Sequence, residues 1–334
     1  MRWKEMAMTT SAQAGRGTAP LGRHAAYERL FGFLWGLFAV FVWAGSFVLT
    51  RWGVKTALNA YDITALRFFA AGMCLAPVVW RAGLPVSRIG WPGLVILISG
   101  TGAPYALLIA IGLLFAPASH AATLVPGAMT VIVAVLGALI LKERLRPLKW
   151  LGVLLILMGS LAISGVASLS VDRAGGGMGH ALFLVAAFLW AGYVIVFRRS
   201  GITSLHATAI VAVGSCLAYL PIYVAFLPKN LATAPASAIV VQALYQGGLT
   251  TVVGLRAFNR AVALLGAAGG AAMASLVPVA ALIIAVLFQG ERPDVPDVLS
   301  VFAVCVGVLL VTIVESPVVR QTCRQDGNSK ELGI

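Results

Sequence analysis

Apolar residues in this chain come in long runs, broken by short clusters of turn residues and charge. Ten runs approach or exceed the roughly 20 residues that a helix needs to cross hydrocarbon. They are residues 31–50, 63–80, 91–114, 118–141, 150–167, 180–197, 207–227, 237–258, 264–288 and 298–315. The separators are residues 81–85 (RAGLP), 142–147 (KERLRP), 175–177 (GGG), 228–230 (PKN) and 291–294 (ERPD). Each is turn chemistry or charge that interrupts a span. The thinnest break, residues 116–119 (APAS), divides the third run from the fourth. The fifth run is short, which a bundle accommodates by local thinning or reduced tilt. The pattern predicts an all-α polytopic membrane protein with ten transmembrane helices.

The pattern also repeats. Residues 39–51 read AVFVWAGSFVLTR and residues 186–198 read AAFLWAGYVIVFR. At an offset of 147, Phe41, Trp43, Ala44, Gly45 and Arg51 recur as Phe188, Trp190, Ala191, Gly192 and Arg198. At an offset of 148, Glu143-Arg144 recurs as Glu291-Arg292, and Gly159 as Gly307. A near-constant offset over such a length means duplication. The expected organisation is a tail at residues 1–30, a first five-helix repeat at 31–167, a linker at 168–179, a second five-helix repeat at 180–315, and a second tail at 316–334. Duplicated membrane halves are the usual plan of secondary transporters, whose substrate site lies at the seam between them.

Composition and charge sharpen this picture. The chain has 334 residues, 60% hydrophobic and only 10% charged, against about 25% charged in soluble domains. A net charge of +13 would suggest nucleic acid in a soluble protein. Here the cations sit in short loops and tails, where topology or anionic lipid heads explain them and nucleic acid is not an expected partner. The 4 cysteines are scattered, so neither a disulfide framework nor a metal site is expected. The N-terminal tail has no apolar core and does not read as a cleavable signal peptide. With the N-terminus inside, 18 Lys and Arg fall on the inner side and 5 on the outer, Arg67 within a span completing the 24. That bias puts both termini in the cytoplasm, with the plasma (inner) membrane the expected location. Five spans per half then make the two repeats face opposite ways, an inverted-topology arrangement that permits alternating access.

Polar groups within the spans are few. Asp62, Glu143, Glu291, Asp294, Asp297 and Glu315 all lie at span ends or in loops. The absence of a mid-membrane carboxylate argues against a simple acidic proton relay. Arg67 is the one full charge within a span, either a functional residue or one that snorkels outward toward Asp62. His120, opening the fourth span, is a proton-handle candidate or an interfacial polar residue. Trp43 and Trp190 lie away from span edges, so they either line a central cavity or pack the repeats together. Gln246, an amide in hydrocarbon, should face the bundle interior. Gly32–Gly36 and Gly266–Gly270 each fit GxxxG, suited to internal packing and leaving a homodimer open. Pro126 and Pro278 remove backbone hydrogen bonds within spans and free carbonyls toward a cavity. No HExxH, phosphate loop or dinucleotide fingerprint is present, so no catalytic residue and no cofactor is assigned.

These features together resemble the EamA-type carriers of the drug/metabolite transporter superfamily. Trp43-Ala-Gly-Ser46 with its echo Trp190-Ala-Gly192, Ala65-Leu-Arg67-Phe68, Glu143-Arg144 with Glu291-Arg292, and Gly152, Gly159 and Gly307 carry the likeness over roughly residues 31–315. It departs from the pattern where Thr130 stands in place of Pro278, and where Gly214 stands in place of Arg67. The resemblance implies a ten-helix fold with cytoplasmic termini and export or exchange of small metabolites, often amino acids or related compounds. The leading expectation is such a secondary transporter, with Trp43, Ser46, Arg67, Tyr105, Trp190, Tyr193, Tyr245 and Gln246 lining its cavity. An intramembrane lipid-processing enzyme would need converging nucleophile, base or metal ligands, and a non-transporting scaffold would have no use for mirror-related halves. The expected partners are a small-molecule substrate and the lipid bilayer.

Overall fold

The structure is a computed structural model that describes residues 21–116, 118–140, 146–163, 176–280, 283–284 and 295–313. Within them every regular element is a helix: α1 (Leu21–Thr56), α2 (Ala60–Ala82), α3 (Val86–Thr101), α4 (Ala103–Phe115), α5 (Ala118–Ile140), α6 (Pro147–Ile163), α7 (Gly176–Ser200), α8 (Ser204–Phe226), α9 (Ala236–Gln242), a π-helical segment (Ala243–Gly254), α10 (Leu255–Ala274) and α11 (Val295–Ile313). Among the described residues, six helices are long and apolar enough to cross a membrane: Tyr27–Val54, Ala60–Ala82, Val86–Phe115, Gly177–Ser200, Ser204–Phe226 and Ala236–Ala274. Leu124–Ile140, Pro147–Ala162 and Val298–Ile313 are shorter apolar helices. Both glutamate-arginine pairs, the tail residues 1–20 and 314–334, most of the linker and the side chain of His120 lie outside the described residues.

Several elements differ from the apolar runs for local reasons. The third run is two helices meeting at Gly102 (φ −88°, ψ −151°). Pro104 cannot donate to a continuing helix, and the Ala103 N–H donates instead to Ser215 Oγ at 3.0 Å. The eighth run is π-helical through its middle, a wide-turn geometry that concentrates at functional sites. Thr251 Oγ1 donates to Gln246 O at 2.7 Å, a reach of five residues that follows the π spacing. Gly266 has φ +84°, a left-handed conformation that glycine adopts without a Cβ penalty, and the helix breaks there. Gly266–Gly270 is therefore a corner and not a continuous packing face. Gly32 and Gly36 do pack internally: a Cβ on Gly32 would stand 2.8 Å from Leu265 Cγ, and one on Gly36 2.8 Å from Met273 Cγ.

Helix packing joins the early elements to the late ones. α1 lies on α10 and the π segment; α7 lies on α5, α3 and α4. α2 packs on α8 and the π segment, and α3 on α7 and α8. α6 packs on α11 through glycine: a Cβ on Gly152 would stand 2.8 Å from Gly307 O, and one on Gly159 2.7 Å from Ser300 O. Asn59 and Asp62 form a capping box at the start of α2. Asp62 is fully buried and also accepts from Tyr223 Oη at 2.6 Å and from the Asn230 N–H at 3.1 Å. That cluster ties the start of α2 to the end of α8. Outward-facing Trp52, Phe69, Trp80, Trp91, Phe226 and Phe302 are all exposed, as expected where lipid replaces water as the solvent.

Candidate functional site

One cavity sits among α1, α2, the α3–α4 break, α5, α7 and the π segment. It holds about 70 Å³, room for about five water-sized groups. Trp43, Ser46, Arg67, Tyr105, Trp190 and Gln246 line it, together with Thr50, Thr101, Pro126 and Thr250. Tyr193 and Tyr245 are not on its wall, which departs from the sequence reading. Tyr193 is fully buried behind it, its hydroxyl donating to Asn259 Oδ1 at 2.6 Å and its ring stacked on Phe197. Tyr245 turns toward α1, where its hydroxyl donates to Val42 O at 3.2 Å. Gly45 makes room for that ring, because a Cβ there would collide with the tyrosine hydroxyl.

Gln246 and Arg67 are each held by a residue on another helix. Gln246, 1% exposed, donates through Nε2 to Ser46 O at 3.1 Å and to Thr50 Oγ1 at 2.8 Å. Ser46 Oγ in turn donates to Trp43 O at 2.9 Å. Arg67 does not reach toward Asp62; its Nε donates to Thr251 Oγ1 at 2.7 Å, and its guanidinium lies 5.3 Å from the Phe68 ring centroid. The hydroxyl of Thr251 thus links Arg67 on α2 to the π turn that carries Gln246.

The two repeat-related tryptophans touch each other. Trp43 and Trp190 meet edge-on at 5.0 Å, and Phe258 closes on both at 5.0 Å and 5.5 Å. Tyr105 packs on Trp190 at 5.6 Å. Such pairs add about 0.5–1.5 kcal/mol each beyond burial. Lining and packing, alternatives in the sequence, are one role here: the indoles form the cavity floor and join the halves. Below that floor Asn259 Nδ2 donates to Thr208 Oγ1 at 3.1 Å, so Tyr193, Asn259 and Thr208 make a buried polar seal. The lining on α1 lies toward its end and that on α2 toward its start, so the cavity belongs to the end of the bundle where Asp62 sits and the seal to the opposite half.

Sequence reasoning missed Thr101 and Thr250 on the wall, Thr251 that holds Arg67, and Gln242, which is off the wall and donates through Nε2 to Leu49 O at 2.7 Å. Gln242, Gln246 and Thr250 follow one another at a spacing of four, the signature of one polar face in an apolar helix, and that signal was available. Thr101 carried none, because its exposure to the cavity depends on the break at Gly102.

Long apolar helices around a small, mostly apolar cavity with a few polar groups define a helical integral membrane protein. The sequence profile of the EamA-like transporter family matches twice, at residues 30–165 and 177–313, and the chain belongs to that family, within the drug/metabolite transporter superfamily. It is 26% identical over 280 residues to an uncharacterized transporter of Archaeoglobus fulgidus, covering 81% of this chain and 93% of that protein. It is 28% identical over 273 residues to a "probable terminal-alkyne amino-acid exporter" of Streptantibioticus cattleyicolor, covering 78% of this chain and 86% of that protein. A solved crystal structure with a TM-score of 0.65 and 21% identity, covering 84% of this chain and 96% of the other, shares the fold.

Proposed function

We propose that this transporter moves a small metabolite, an amino acid or related compound, by alternating access between two inverted five-helix repeats at residues 31–167 and 180–315. The observation that carries the reading is the cavity at the seam, with Arg67 on its wall and the Trp43–Trp190 pair on its floor. The packing supports it. Exchanging each element for its counterpart in the other half turns α1–α10 into α7–α5 and α2–π into α8–α3, while α2–α8 and α6–α11 map onto themselves. Those pairings are what two copies related by a two-fold axis would give, and an odd number of spans per copy puts that axis in the membrane plane. With both termini in the cytoplasm, the cavity opens on the outer half and the Tyr193–Asn259–Thr208 seal closes the inner half. Loaded, the halves rock, that seal parts, and the cargo changes sides. The substrate of the Streptantibioticus relative, an amino acid by its name, is consistent with such cargo.

The test is extracellular metabolite profiling of cells overexpressing the protein, compared with Arg67→Ala and Trp43→Ala at matched membrane levels. One compound class should accumulate outside and fall back with either variant. Identical profiles for wild type and vector control would overturn the reading.

A further inference from the structure

The cavity wall narrows the cargo more than its size does; this inference rests on the carrier reading above. Arg67 brings a fixed positive charge to the wall. Three further buried groups there have no hydrogen-bond partner: Trp190 Nε1, Thr101 Oγ1 and Thr250 Oγ1. Their residues are 5%, 4% and 1% exposed, and all three line the cavity. An indole N–H can only donate, and a threonine hydroxyl can donate once. Folded proteins leave few buried polar atoms unpaired, and those that remain call for a ligand or a function.

The other half of the inventory is what the wall lacks. No Asp or Glu is among the described lining residues. Asp62, five residues before Arg67, already accepts from Asn59, Tyr223 and Asn230. The Ser46, Thr50 and Thr64 hydroxyls donate into carbonyls of their own helices, so any acceptor oxygen they offer is neutral. A cation entering this space meets like charge with no counter-ion in a poorly solvated site. A zwitterion satisfies Arg67 with its carboxylate but finds no charge for its ammonium. A carboxylate anion pairs with the guanidinium and has oxygens left for the three waiting donors.

We propose that, within the class of amino acids and related compounds, the cavity selects the related net-anionic carboxylates, such as 2-hydroxy, 2-oxo or N-acyl acids, over the zwitterionic amino acids themselves and over cations of the same size. Arg67 is the counter-ion, and Trp190, Thr101 and Thr250 receive the remaining oxygens. The anion's own charge completes a site that the protein leaves half built.

Three probes of matched size separate the charge classes: L-lactate (anion), L-alanine (zwitterion) and L-alaninamide (cation). Thermal unfolding of the purified full-length protein in detergent, at constant ionic strength, reads their binding. L-lactate should raise the unfolding temperature with a half-saturating concentration at least about tenfold below that of L-alanine, and L-alaninamide should give no shift. Arg67→Gln should lose the lactate shift and Arg67→Lys should retain it. Should Arg67→Gln fail to fold, Thr250→Val and Trp190→Phe serve instead, each weakening lactate binding severalfold. An equal or larger shift with alanine or alaninamide, or a lactate shift that survives Arg67→Gln, overturns the proposal. Counterflow in proteoliposomes tells its failure from that of the carrier reading. L-alanine carried at a rate indifferent to Arg67→Gln refutes the charge selection and leaves carriage standing. Folded protein that carries none of the three counts against both.

Discussion

Replacing Gln246 by leucine separates a wall residue from a structural one. The side chain is 1% exposed and its Nε2 makes two interhelical bonds, to Ser46 O and Thr50 Oγ1. Interhelical side-chain hydrogen bonds in membranes average about 0.6 kcal/mol each, so the pair is worth roughly 1–2 kcal/mol. Leucine strands no partner, because Ser46 O still accepts from Thr50 Oγ1 at 2.8 Å. A net stability of about 5–15 kcal/mol absorbs such a loss. Thermal unfolding in detergent should therefore show a drop of a few degrees, with membrane levels unchanged. Flux is a different matter, because the amide is part of the cavity wall. Efflux from vesicles at matched protein should fall by about tenfold, the effect of some 1.4 kcal/mol. A membrane level that collapses along with the flux would refute the reasoning and make Gln246 a packing residue. The double variant with Thr50→Val should show a coupling near 0.6 kcal/mol.

Gly247 and Gly248 are neighbours with opposite expectations. A Cβ on Gly247 would stand 2.6 Å from Ala70 Cβ and 2.9 Å from Arg67 O, while one on Gly248 meets nothing within 4 Å. Gly247→Ala should cut folding yield and displace Arg67, and Gly248→Ala should leave both yield and flux near wild type, read by size-exclusion profile and vesicle transport. Gly152→Val, driven against Gly307 O, should abolish monodisperse protein in the same profile. Tyr193→Phe leaves the buried Asn259 Oδ1 without its donor, at a cost of about 1–3 kcal/mol. Adding Asn259→Leu should recover part of that loss in unfolding measurements. Epitope tags at both termini should resist impermeant reagents in intact cells; labelling at only one end would remove the basis for antiparallel halves.

Apolar run length placed most of the described helices, because hydrocarbon imposes that length on a span, but α10 runs through the gap expected between the eighth and ninth runs and breaks instead at Gly266. The wall was legible where a residue's chemistry is costly in lipid, as for Arg67 and Gln246, since such groups must turn inward. It was illegible where backbone geometry decides. Tyr193 and Tyr245 carry the same polar tip as Tyr105, yet only Tyr105 faces the cavity. Tyr193 lies behind the floor against Asn259, and Tyr245 is turned by the π register into the space left by Gly45. Gly266–Gly270 has the spacing of a packing motif, but spacing does not report a left-handed φ.

The α6–α11 crossing bears on how such a chain could arise. Gly152 meets Gly307 while Gly159 meets Ser300, and an offset of 148 turns the first contact into the second. An interface that matches itself under exchange of partners is the kind identical subunits make. A half-length ancestor would already have owned both surfaces of this joint, given that copies of it inserted in opposite orientations. Gene fusion then had no new contact to invent at this crossing. Such a fusion would remove the need for two independent insertions and leave each copy free to diverge, as Arg67 in one and Gly214 at the equivalent position of the other have.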